Sequence, residues 1–117
     1  MLIRGHVTNK YNIRDDILQY IDDTYKDRKM RADFLNFAIA QQDFIESGAN
    51  REAAIRNADI VDRRLTCLYR TYGMQRSEEI KIIEAMSINT ESRFRAYWKA
   101  IDLQSGRVTY APRNPCE

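Results

Sequence analysis

Residues 63–74 read RRLTCLYRTYGM: arginine and tyrosine interleaved around a cysteine, closed by a glycine. Guanidinium and phenol groups at that density can meet phosphates, stack on bases or anchor a protein interface. A second stretch invites the same chemistry. Residues 93–113 carry Arg93, Arg95, Lys99, Arg107 and Arg113 against Asp102 alone, a net of +4, with Phe94, Tyr97, Trp98 and Tyr110 among them.

Catalytic chemistry finds less support. His6 is the single histidine, and no nucleophile motif accompanies it. The chain has no Gly-rich dinucleotide loop, no P-loop and no HExxH. Cys67 and Cys116 match neither a disulfide framework nor a metal pattern, so both thiols are expected free and the setting reduced and cytoplasmic. The chain therefore reads as non-enzymatic, with no cofactor and no metal.

The elements that must position these residues follow from composition and periodicity. At 117 residues the chain is expected to form a single domain, 1–117, with 112–117 as a flexible C-terminal tail. A 44% hydrophobic and 31% charged composition is that of a soluble globular protein. No apolar run is long enough for a membrane span, and the opening MLIRGHVTNKY has no apolar region of a signal peptide. Net charge is only +2 but uneven: residues 1–60 hold 9 Lys/Arg against 10 Asp/Glu, residues 61–117 hold 10 against 7.

Both prolines lie in the last six residues, so about 12–88 is free to be helical. A first helix is expected from an Asn12 N-cap, with Ile13, Ile17, Tyr20, Ile21 and Thr24 on one face and Asp15, Asp16, Asp22 and Asp23 opposite. A second presents Phe34, Phe37, Ala38, Gln41, Phe44 and Ile45, and ends near Gly48. A third runs continuously from about 51 to 72 between an Asn50 N-cap and a Gly73 C-cap. Its apolar stripe is Ala54, Ala58, Val61, Leu65, Leu68 and Tyr72, flanked by a row of Ala53, Ile60 and Cys67. Glu52–Arg56 and Asp59–Arg63 are spaced for i,i+4 ion pairs on its outer face. A short fourth helix starts near Ser77, with Ile80, Ile83 and Met86 inward.

The C-terminal quarter fits two periods. Phe94, Tyr97, Trp98 and Ile101 suit a helix, while Phe94, Ala96, Trp98 and Ala100 alternate with charged or polar neighbours as in a strand. The turn-like Asp102, Ser105 and Gly106 favour an antiparallel hairpin of 93–102 and 107–111, to which LIRGHV could add a third strand. The expected fold class is α+β, helix-dominant: a four-helix bundle-like core with a small C-terminal β-hairpin.

A helix-turn-helix over 47–74 would put Arg63, Arg64 and Arg70 on a recognition helix. Its turn would fall at Ala58-Asp59, where there is no glycine and the apolar stripe keeps its phase. A continuous helix accounts for the pattern better. The primary functional expectation is then a small nucleic-acid-binding accessory or regulatory protein. Arg93, Arg95, Tyr97, Lys99 and Arg107 would hold the nucleic acid, with Trp98 turned to the core. The alternative is a protein-binding adaptor or inhibitor, of the kind mobile elements encode, docking through Arg56, Arg63 and Arg70. A homodimer is compatible with either.

Overall fold

The computed structural model describes residues 5–109 and 113–117, and among them it is helical throughout, without a strand. The elements are α1 (Asp15–Thr24), α2 (Arg28–Ile45), α3 (Arg51–Tyr72), a 3₁₀ turn (Met74–Arg76), α4 (Ser77–Ser87) and α5 (Glu91–Gln104). α2 is the hub and packs against all four other helices; α3 also packs on α5, and α1 on α4.

α2 and α3 form where their caps and stripes require. The Asp27 carboxylate accepts from Met30 N, and the Asn50 side chain accepts from Ala53 N at 3.0 Å. Phe34, Phe37, Ala38, Gln41, Phe44 and Ile45 are all buried. Of the α3 stripe, Ala54, Ala58 and Leu68 are buried, and Val61, Leu65 and Tyr72 pack partly buried against them. α3 is unbroken across Ala58–Ile60, so no helix-turn-helix turn exists there. Gly73 closes it at φ 75, a left-handed conformation that favours glycine.

The main core gathers Ile13, Ile17 and Ile21 of the α1 region, Phe34 and Phe37 of α2, Leu68 of α3, and Ile80 and Ile83 of α4. Tyr25 and Phe34 stack at 4.2 Å, and Phe34 with Tyr72 at 5.9 Å. The Tyr72 hydroxyl donates to Asp33 at 2.6 Å, while among the described residues the buried Tyr25 hydroxyl makes no hydrogen bond of normal geometry.

α1 begins three residues later than its expected cap. Asn12 takes a left-handed φ of 58, and the loop before it folds over the first turn. Thr8 N, Thr8 Oγ1 and Asn9 Nδ2 each donate to the Asp15 carboxylate at 2.8 Å. Arg14, which no pattern singled out, is 5% exposed. Its guanidinium holds Asp16 and donates to the Met86 carbonyl at 2.7 Å, which ties the entry of α1 to the end of α4.

The expected β-hairpin is wrong. Residues 91–104 are α5, and the break before them is its cap: Thr90 Oγ1 accepts from Arg93 N at 3.2 Å. An i,i+4 pair, Glu91 with Arg95 at 2.5 Å, supports the first turn. Tyr97, Ala100 and Ile101 then meet Phe44 and Ala58 at i, i+3, i+4 spacing, contacts that a strand's period of two could not make together. Ser105 and Gly106 (φ 87) terminate a helix instead of turning a hairpin. Arg51 of α3 secures that end by donating to the carbonyls of Leu103 and Ser105, a cation at a helix C-terminus. Of the two further expected strands, Gly5–Val7 and Arg107–Thr109 are not strand, and residues 1–4 and 110–112, Tyr110 included, lie outside the described residues.

The expectation of free thiols also fails. Cys67 and Cys116 form a disulfide, with Cα atoms 4.9 Å apart. The flanking row of α3 that carries Cys67 is where the last residues lie: Pro115 is buried, and Arg63 Nη1 donates to the Asn114 carbonyl at 3.3 Å. The argument for a reduced compartment loses its premise, since disulfides persist mainly in oxidising surroundings. No described helix is long and apolar enough to cross a membrane.

Candidate functional site

Helical geometry redistributes the five residues expected to hold nucleic acid. At 100° per residue, Arg93 and Tyr97 share one side of α5, and Arg95 and Lys99 share another. Arg93 Nη1 donates to Asn89 Oδ1 at 2.7 Å, and burial together with the nearby Arg14 charge lowers its pKa. Arg95 is held by Glu91, and Lys99 is exposed. Tyr97 is part of the second core cluster, with its ring edge-on to Phe44 at 6.1 Å.

Arg107 lies beyond the end of α5, and its side chain pairs with α3. Its guanidinium reaches Asp59 at 2.6 Å and Asp62 at 2.5 Å, and its Nε donates to Gln104 at 2.6 Å. With 13% of its side chain exposed and two carboxylates on it, this cation is committed to holding the chain after α5 against α3. The single basic track along a strand face does not assemble.

What α5 does present is an aromatic pair. Phe94 and Trp98 stand on successive turns, each 48% exposed, in edge contact at 6.1 Å. Trp98 also meets Tyr97 edge-on at 5.8 Å, so the exposed rings run continuously into the second core cluster. Trp98 was expected in the core; on a helix it falls outside it because Tyr97 and Ala100 occupy the inward direction. The cap at Thr90 with Glu91 after it, and the Ser105-Gly106 stop, were the signals that could have revealed this helix.

The three arginines of the alternative, Arg56, Arg63 and Arg70, do lie exposed along the outer face of α3. Neither expected i,i+4 pair forms among the described residues: Asp59 is taken by Arg107, and Arg63 turns to Asn114. A shallow groove of about 450 Å³ runs there, lined by Glu52, Ile55, Arg56, Asp59, Ile60 and Arg63, with Ile60 39% exposed. Among the described residues no group of three or more His, Cys, Asp or Glu is placed to hold a metal ion.

Comparison with protein-family models, with curated proteins and with solved structures finds no match for this chain. Its function has to be argued from its own surfaces.

Proposed function

We propose that the protein is a small protein-binding adaptor or inhibitor. Its partner would dock on the exposed side of α5, with Phe94 and Trp98 as apolar anchors and Arg95 and Lys99 beside them. The observation that carries this reading is the ring pair, held in edge contact on a helix while half of each side chain meets solvent. Apolar area left in water forgoes about 25 cal/mol per Å², a gain that a partner's pocket recovers. Tryptophan and arginine are also the residues most enriched among interface hot spots. The matching surface is an apolar pocket with carboxylates on its rim. The arginine face of α3, with Ile60 in its groove, offers a second contact surface of the same character.

Nucleic-acid binding is the second reading. Trp98 next to Lys99 favours it, because an exposed indole can stack on a base while an ammonium group meets phosphate.

The test uses wild type, Phe94→Ala and Trp98→Ala as baits for quantitative crosslinking capture from source cells, with and without nuclease. Anisotropy with single- and double-stranded oligonucleotides at two salt concentrations runs in parallel. The protein-binding reading expects one prey, resistant to nuclease and lost from both variants, whose melting temperatures stay near wild type. Binding to an oligonucleotide below ~100 µM that weakens steeply with salt, and is lost in Trp98→Ala, would transfer the function to nucleic acid. Capture unchanged in both variants would remove α5 as the docking surface.

A further inference from the structure

A cleft of about 210 Å³ opens among α2, α3, α4 and α5, apart from the exposed side of α5. Its walls are mostly apolar, with Phe44, Val61, Leu65 and Ile101 supplying them. Three polar side chains converge on it: Gln41 from α2, Glu84 from α4 and Tyr97 from α5. Among the described residues, none of the three side chains has a hydrogen bond or ion pair. Gln41 is the most telling: the residue is only 5% exposed, and its unbonded amide is not sealed from solvent but opens on the cleft. An unbonded amide that opens on a largely apolar cavity marks a place where a ligand can complete the bonding.

The charges select the ligand. Arg107 and Asp62 also line the cleft, but they are bonded to each other, and Asp59 further compensates the arginine. That leaves Glu84, its charge opposed only in part by Lys81 on its own helix, as the net negative group of the cleft. Burial raises its pKa, and burial first, then the Glu84 charge, raises that of Tyr97. A cation between them would relieve both, and the faces of Phe44 and Tyr97 are favourable to an ammonium. A cavity of about 150 Å³ accommodates a benzene ring. The larger volume here leaves room for a short arm as well.

We propose that this cleft is a binding site for a small primary amine with an aromatic or branched apolar body. The ammonium sits between the Glu84 carboxylate and the Tyr97 hydroxyl, Gln41 takes a further polar group, and the body rests on Phe44, Val61, Leu65 and Ile101.

The probes are phenethylamine, its neutral isostere 2-phenylethanol and the anion phenylacetate, titrated into the full chain and followed by amide chemical shifts. Phenethylamine should shift signals around Phe44, Glu84 and Tyr97 and bind at least about tenfold more tightly than either isostere, the worth of one charge-assisted hydrogen bond. Glu84→Gln should abolish that preference while keeping the wild-type spectrum elsewhere, since among the described residues the carboxylate makes no ion pair or hydrogen bond that would be lost. Tyr97→Phe should weaken the amine with little effect on the alcohol. Equal binding of all three probes, an amine preference that survives Glu84→Gln, or no shift at amine concentrations on the order of 10 mM would overturn the assignment.

Discussion

The two core clusters of this protein are built on different terms. The main one closes eleven buried residues from four helices around stacked aromatic rings. The second, where α5 meets α2 and α3, buries only Phe44, Ala58 and Ala100, and leaves Val61, Tyr97 and Ile101 half-covered. The first is closed around its side chains. The second stops short of closure, and its incompleteness produces both the aromatic edge of α5 and the cleft beneath it. In a chain this short, surface that could serve binding is found where packing is unfinished.

That contrast is most sharply tested by large-to-small substitutions. Phe34→Ala should cost about 3–5 kcal/mol, the upper range for a fully buried ring. Tyr97→Ala should cost distinctly less, because part of its ring already faces solvent and its hydroxyl has no bond to lose. Urea midpoints of the two variants decide it. Equal losses would mean that α5 is as integral to the fold as α2, and the functional reading of its surface would weaken accordingly.

The second largest effect concerns what holds the last residues to α3. Removing the Cys67–Cys116 link frees a loop of 49 residues in the unfolded chain. By loop-closure entropy Cys116→Ser should therefore cost about 3–4 kcal/mol. The wild type should show no alkylation without reductant, and with reductant it should unfold at a lower denaturant concentration. Free alkylation of both thiols in the native protein would restore the expectation drawn from the sequence.

These two tests also mark where sequence was legible. The inward faces of α2 and α3 could be read residue by residue because their apolar stripes keep a helical period, and the Asn50 cap of α3 lies at the expected place. α5 could not, since its inward residues Tyr97, Ala100 and Ile101 include one fully buried side chain, an alanine, too weak a stripe to outweigh the alternation of charges around it. The Cys67–Cys116 bond was hidden for another reason. Cys67 was identified as lying on a flanking row, but that the chain returns to that row at Cys116 is a tertiary fact with no periodic signature. Gln41 was correctly placed on the inner face of α2; that its amide would be open to a cleft depended on α5 being a helix.

A smaller effect, of opposite sign, is expected inside the main cluster. Among the described residues the buried Tyr25 hydroxyl makes no hydrogen bond of normal geometry, and burial first, then the Glu79 carboxylate as a distant acceptor, raises its pKa. Tyr25→Phe keeps the stack on Phe34 and removes the unsatisfied group, so it should stabilise by about 1 kcal/mol. A loss of stability would show that the hydroxyl does find a bond, and that the main cluster is less dry than its packing indicates.

The smallest effect separates the two regions by pH, through two carboxylates shifted in opposite directions. Asp15, at the entry to the main cluster, is held below its ordinary value of 3.8, chiefly by the Thr8 backbone N–H and then by the Thr8 hydroxyl and Asn9 amide. Its folded pKa is lower than its unfolded one, so its contribution is present above 3.8 and is lost as pH falls through the folded value. Glu84, in the second region, lies above its ordinary value of 4.5 because burial penalises its charge, with Lys81 only partly opposing. Its contribution runs the other way: it is full below 4.5 and lost as pH rises through the raised folded value. Urea midpoints measured from pH 2 to 7 on wild type, Asp15→Asn and Glu84→Gln should resolve the two. Asp15→Asn should lose stability relative to wild type at neutral pH and converge with it in acid. Glu84→Gln should match wild type in acid and gain on it as pH rises past 4.5. If Glu84→Gln instead loses stability at neutral pH, the carboxylate already has a partner within the fold, and the cleft has no charge to offer an amine.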